Sequence, residues 1–456
     1  MATRFLHYGC WNNGKCGEEN VPQTNVSNSV IAYIEQHKTT NPAEFLLIAG
    51  DNYYPEKNKD KTKDKDKDKK DKTKDKYNNG DKKDKKQKKE KTIVPDNLIS
   101  GFECLEKIPI KKYILLGNHD IENIKDRCEI IDQQLVQIQN TENMYDENRP
   151  IIVKHFIIPH KNTQTLFILF DTTVFTDDII INDDEEDKEN IDLLECYKHI
   201  PELNYVNSFD DIRKHIQSYI NGLLIKNTHN ININDIKNVI TVGHHPIVHY
   251  KMKNENKKNE HNKKLSKFIY ENIFVPLSQP TPPNERKYYH LCADTHHFQS
   301  GVITLNMESK GDMVINQFIS GTGGATLDPI IPISAISNKA ETIYKTDDNT
   351  TYATYLMKNS VYSHGFCDCV LSGDGDLDVQ FIPAETAETT QQQQSILLPP
   401  APPTPALSPL LPPPPATQTG GKKIKKNKRT TLKRTNKNKK RRQTKRRGRV
   451  GRVLIR

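Results

Sequence analysis

The chain has 456 residues and a formal net charge of +9, enough length for one large domain or two ordinary ones. No stretch approaches the length of a membrane helix, and the eight cysteines follow no short-period pattern, which excludes a disulfide-stapled miniature fold. The charge is unevenly laid out: 422–456 carries 19 Lys and Arg with no Asp or Glu, 56–91 carries 18 Lys against 10 Asp and Glu, and the remainder is acidic at −18.

In chain order, apolar β-branched runs predict strands at Arg4 to Tyr8, Phe45 to Ala49, Lys112 to Leu116, Ile151 to Ile158, Leu166 to Phe170, Val239 to Val242, Tyr288 to Cys292, Gly301 to Leu305 and Met313 to Ile319. Val26, Val30 and Ile34 mark one face of a helix over Asn25 to His37. Ile212, Ile216, Tyr219, Ile220 and Leu223 do the same for Asp210 to Leu224. Asp96 to Lys107 and Asn262 to Phe274 also read as helices. Strands alternating with helices, then a strand-rich end, define an α/β fold with mixed sheets. The first domain is expected to span 1–383, followed by a Gln- and Pro-rich linker over 384–420 and a basic tail over 421–456. The Lys/Asp insert 56–91 lacks apolar residues to bury, so disorder is expected there and in the tail. Asp177 to Asn190 reads as a solvated acidic loop.

Four short pieces stand where a strand ends and a loop begins: Gly50-Asp51-Asn52-Tyr53-Tyr54, Gly117-Asn118-His119-Asp120, Gly243-His244-His245-Pro246 and Asp294-Thr295-His296-His297. Open sheets place ligands at the carboxyl ends of their strands. Carboxylates, imidazoles and an amide in this arrangement suit two metal ions, which neutralise phosphoryl oxygens and supply hydroxide at mild pH. Any one of these pieces is weak evidence; four in this order point to a two-metal phosphoesterase site.

These motifs resemble those of the calcineurin-like metallophosphoesterases, and within them the purple (tartrate-resistant) acid phosphatases. Leu166 to Thr172 looks like the family strand ending in Asp-Thr, Phe298-Gln299 continues its Leu-Gln ending, and Ile319 to Gly324 is similar to its glycine-rich turn. The resemblance covers roughly residues 4 to 370. It implies two stacked mixed sheets flanked by helices, a four-layer sandwich. It also implies hydrolysis of phosphomonoesters by metal-activated hydroxide, with iron paired to zinc, manganese or a second iron. Asp51 would bridge the metals. Tyr54 and His296 would hold the first, Asn118, His244 and Asp294 the second. His119 would protonate the leaving group or orient the phosphate, with Asp120 orienting His119. His245 shapes the cleft, and His261 matches a substrate-side histidine, though solvated surface also suits it.

Two positions depart from the family pattern. Cys10, in Gly9-Cys10-Trp11-Asn12, replaces a ligand Asp. It is either a thiolate ligand or an inert buried thiol. Asp294 stands where a His is usual, and its oxygen favours harder cations such as Mn²⁺, Mg²⁺ or Fe²⁺ at the second metal.

The scattered cysteines, Cys10, Cys16, Cys104, Cys128, Cys196, Cys292, Cys367 and Cys369, read as reduced thiols. With no apolar leader before Arg4, an intracellular location is expected: cytoplasmic or nuclear, or for a viral chain the virion or host cytoplasm. The tail suits sequence-independent attraction to nucleic acid or another polyanion. An alternative function follows: a degraded phosphatase fold that binds or packages a polyanion. Neither reading fixes an oligomeric state.

Overall fold

The computed structural model describes residues 2–18, 21–54, 96–121, 127–145, 149–176, 194–229, 231–253, 256–278, 286–306, 311–329, 339–346 and 351–384. The insert 56–91, the acidic loop 177–190 and the linker and tail from residue 385 onward lie outside them. Contacts divide the chain into 1–398 and 399–456, and the last described strand closes at Pro383.

Among the described residues fifteen strands form two mixed sheets and a hairpin: β1 Thr3–Tyr8, β2 Ala43–Ile48, β3 Lys111–Ile114, β4 Val153–Pro159, β5 Gln164–Phe170, β6 Ile236–Val242, β7 Val248–Lys253, β8 Asn256–His261, β9 Lys287–Cys292, β10 Phe298–Asn306, β11 Asp312–Ser320, β12 Glu341–Lys345, β13 Tyr352–Val361, β14 Gly365–Leu371 and β15 Leu377–Pro383. One sheet runs β15-β14-β1-β2-β3; the other runs β12-β13-β10-β11-β9-β6-β5-β4; β7 and β8 pair alone. Within them β1, β2 and β3 are parallel, as are β5, β6, β9 and β11. The helices used below are α1 Pro22–His37, α2 Asp96–Glu106, α3 Asn118–Ile121, α4 Arg127–Asn140, α5 Phe209–Leu224 and α6 Lys263–Ile269.

The strand period of two decides the layering. Phe5, Phe45 and Leu47 of the first sheet share one apolar cluster with Phe167, Leu169, Ile240, Val242 and Leu291 of the second. The alternate residues Leu6, Leu46 and Ile48 turn outward onto Val26, Val30, Leu98, Phe102, Ile130 and Ile138 of α1, α2 and α4. On the far side Leu166, Ile168 and Phe170 meet Ile212, Ile216 and Ile220 of α5 and Leu265 and Ile269 of α6. Strands covered on both faces read as continuous apolar runs, which is why their ends were so visible in the sequence.

Two expectations need correction. Asn262 to Phe274 is not one regular helix: α6 stops at Ile269 and the chain widens into a π-turn over Tyr270–Phe274. Nor are all the cysteines reduced. Cys16 is bonded to Cys104 and Cys128 to Cys196, across 88 and 68 residues of chain, with Cα atoms 5.5 and 4.5 Å apart. The partners lie far apart in sequence and meet only through the fold, so spacing could not show them. The cysteine argument for a reducing compartment falls with them. Cys10, Cys292, Cys367 and Cys369 are free and buried. No described helix is long and apolar enough to cross a membrane.

Candidate metal centre

Five parallel strands deliver the candidate ligands from their carboxyl ends. Cys10 follows β1, Asp51 and Tyr54 follow β2, Asn118 follows β3, His244 follows β6, and Asp294 and His296 follow β9. The turns are cross-stitched: Gly9 N donates to Ser320 O at 2.9 Å, Cys10 N to Gly50 O at 3.0 Å, and Ala293 N to His244 O at 2.8 Å.

Asp51 is 1% exposed, and its two oxygens face different partners. Oδ2 accepts from the Tyr54 hydroxyl at 2.6 Å and lies 3.6 Å from Cys10 Sγ. That hydroxyl is in turn 3.1 Å from His296 Nε2. Oδ1 lies 3.3 Å from His244 Nε2, which is 2.9 Å from Asn118 Oδ1 and 4.0 Å from Asp294 Oδ1. The donor atoms thus fall into two sets that share one carboxylate.

The histidine tautomers fit cation binding. His244 Nδ1 donates to Ala49 O at 2.7 Å and His296 Nδ1 to Thr326 O at 2.9 Å. A ring nitrogen facing a carbonyl carries the proton, so in the neutral ring Nε2 is the atom with a lone pair to offer the cluster. Ligand atoms of Cys10, Asp51 and His244 lie within 4.8 Å of one another, as do those of His244, His245 and Asp294. His245 therefore stands closer to the second set than a cleft-shaping role requires. Burial, then His244, pushes its pKa down to about 3, leaving a neutral ring.

Backbone conformation marks the same residues. Among the described residues five non-glycines have positive φ, and three of them are Cys10 (52°), Asp51 (55°) and Asp294 (56°). The left-handed region costs a non-glycine on the order of 1 kcal/mol or more, and such residues cluster at functional sites. Gly117 is required by crowding: a methyl group there would strike Asp51 Oδ1 and the Asp51 amide.

Electrostatics follow the packing. Burial raises the Asp51 pKa, but His244, His119 and the Tyr54 hydrogen bond outweigh it and hold the carboxyl low. For Asp294, burial is likewise overridden, chiefly by Lys251, His245 and His244, and its pKa lies well below the usual carboxylate range. Burial, then Asp51, pushes the Cys10 thiol and the Tyr54 phenol well up.

Asp120 sits apart from the donor sets. It accepts from Asn52 N at 2.8 Å, Gly117 N at 2.8 Å, Asn52 Nδ2 at 3.0 Å and Gln134 Nε2 at 3.2 Å. Asn52 also takes the Trp11 indole N–H at 3.0 Å and donates to Leu115 O at 2.8 Å. Together Asn52 and Asp120 tie the loops after β1, β2 and β3 to one another. His119 N donates to Asp51 Oδ1 at 3.1 Å, and its half-buried ring lies 4.8 Å from that of Tyr54. His261 is not brought to the cluster: its Nε2 is 2.7 Å from Ser266 Oγ and its ring 5.9 Å from that of Tyr344. The family-like turn Gly321 to Gly324 backs Cys10, with Gly323 N donating to Gly9 O at 3.0 Å.

Two nearby residues carried no sequence signal. Asp328 accepts from His296 N at 3.0 Å. Lys251 places its Nζ 3.5 Å from Asp294 Oδ2. Neither belongs to a motif, and nothing in the local pattern sets them apart from surface charge.

No family model matches the chain, and no curated protein matches it. Among solved structures it is similar to one titled "Structure of PhoD", at 10% identity, over 83% of this chain and 68% of that chain, with a TM-score of 0.39. A likeness at that level assigns no activity to this chain.

Proposed function

We propose that this chain is a metal-dependent phosphoesterase that hydrolyses phosphomonoesters, with the architecture of a metallophosphoesterase sandwich. The observation that carries the reading is the division of donors around Asp51. One carboxylate with a thiol and a phenol on one oxygen, an imidazole behind the phenol, and on the other oxygen His244 with an amide, a carboxylate and a second imidazole beside it, is a donor set for two cations. Sheet-on-sheet packing with helices on both outer faces supports the four-layer arrangement.

In this reading Cys10, Asp51, Tyr54 and His296 hold the first cation, and Asp51, Asn118, His244 and Asp294 the second, with His245 beside them. When bound, two such cations would neutralise the phosphoryl oxygens and lower the pKa of an attacking water. The chain does the rest. Ala49 O and Thr326 O fix the imidazole tautomers. The buried floor of Cys10, Asp51 and His244 keeps bulk water out. His119, half-buried above Asp51, protonates the departing oxygen. Asp120 acts on His119 indirectly, by fixing Gly117 and Asn52.

The test is metal content by mass spectrometry on protein purified without chelator, beside hydrolysis of an aryl phosphate with added Mn²⁺, Fe²⁺ or Zn²⁺. Near two metals per chain, with turnover lowered about a hundredfold or more in His119→Ala and metal content kept, is expected. No metal and no turnover with any of these ions would overturn the reading.

A further inference from the structure

Lys251 lies on β7, the strand that leaves the Gly243 to Ile247 loop. Its side chain is 31% exposed, and among the described residues its one ion pair is with Asp294 Oδ2, at 3.5 Å. Asp294 is itself divided: Oδ1 faces His244 and Oδ2 faces Lys251. The ion pair sets an ammonium at the rim of the cluster, which carries three donors and spends one on Asp294.

We propose that Lys251 is a substrate-binding residue that takes an oxygen of a phosphomonoester dianion and so favours monoesters over diesters. The inference rests on the phosphoesterase reading above. A monoester near neutral pH carries a second negative charge and a further non-ester oxygen that a diester lacks. An ammonium at the rim meets the extra oxygen and second charge of the first, whereas the second offers it only one charge shared over two oxygens. Asp294 serves as the anchor that aims it. The carboxylate in place of a neutral donor adds a negative charge to the cluster, and Lys251 offsets it, so the rim stays open to an anion.

The experiment titrates inorganic phosphate into the metal-loaded full chain by calorimetry. It is run beside kcat and KM for p-nitrophenyl phosphate and bis(p-nitrophenyl) phosphate, and metal content. The variants are Lys251→Met and Lys251→Arg. Loss of one charge-assisted hydrogen bond predicts phosphate affinity and monoester KM worsened about tenfold to a hundredfold in Lys251→Met, diester kinetics within about threefold, and metal content unchanged; Lys251→Arg recovers most of the loss. Unchanged phosphate affinity, or equal losses on both esters, overturns the proposal. Loss of metal in Lys251→Met also overturns it, by showing that the lysine serves Asp294 rather than substrate. If the unaltered protein turns over neither ester, the activity reading fails by itself, and the phosphate titration still decides the role of Lys251.

Discussion

The hydroxyl of Tyr54 donates to Oδ2 of Asp51 at 2.6 Å, while Oδ1 faces the His244 ring and accepts from the His119 amide. Asp51 is thus the one side chain on which both donor sets depend. Asp51→Ala is expected to remove both metals, not one, and turnover with them. Mass spectrometry of the purified variant checks this; one retained equivalent would mean that the two sets bind independently.

Gly117→Ala tests the closeness of the β2 and β3 loops. The added methyl meets Asp51 and approaches His244 Cε1 to 2.9 Å. Overpacking of this kind costs about 1–3 kcal/mol, and here it falls on Asp51, the carboxylate that the two donor sets share. Metal affinity should fall at least tenfold while circular dichroism stays that of the folded chain.

Asp294 has φ 56° and its side chain is only 18% exposed. Asp294→Gly relieves the backbone conformation, worth about 1 kcal/mol, and removes one donor. In chelator-treated protein the variant should melt no lower than the unaltered chain, yet bind divalent metal more weakly. A clear drop in the metal-free melting temperature would count against strain at this position.

Removing the Cys16–Cys104 bond, by Cys16→Ser with Cys104→Ser, should cost about 3–5 kcal/mol given the length of the closed loop. The same loop reaches Cys10 through Trp11, whose ring packs on Phe102 of α2 with centroids 5.6 Å apart. Urea midpoints with and without reductant measure the loss, and a matching drop in metal retention is expected.

His7 and His290 are fully buried, and burial pushes each pKa down to about 4. The unfolded chain takes up these protons below about 6.5, the native chain only near 4. Stability is therefore full above 6.5 and falls as pH drops from 6.5 to 4, by up to about 3 kcal/mol per histidine. Urea midpoints across that window check it. His290→Gln should flatten the slope; an unchanged slope would place the acid sensitivity elsewhere.

What the sequence made legible follows from contiguity. Asp51 with Tyr54, Asn118 with His119, and Asp294 with His296 each sit in a few consecutive residues after an apolar strand, and the structure gathers them into one cluster. Groups supplied across the fold were not legible. Lys251 reaches Asp294 from β7, whose partner β8, Asn-Lys-Lys-Asn-Glu-His, is held by backbone pairing and shows no apolar alternation. The edge strands β12 and β15 were missed for the related reason that half-exposed edge strands carry a weaker pattern. Asp120, which the family resemblance pairs with His119, sits on a short helix and also accepts from Asn52 and Gln134.

The Cys16–Cys104 bond also has a topological consequence. It closes a covalent ring that contains the whole stretch 56–91, with 18 lysines at which a trypsin-like protease could cut. A single cut anywhere in that stretch releases nothing. The amino-terminal piece, with Cys10, Asp51 and Tyr54, stays fastened to the piece that holds His244, Asp294 and His296. Such a nicked protein would run as one band on a non-reducing gel and as two after reduction, so a protease could reshape this segment while every candidate ligand stays on one molecule.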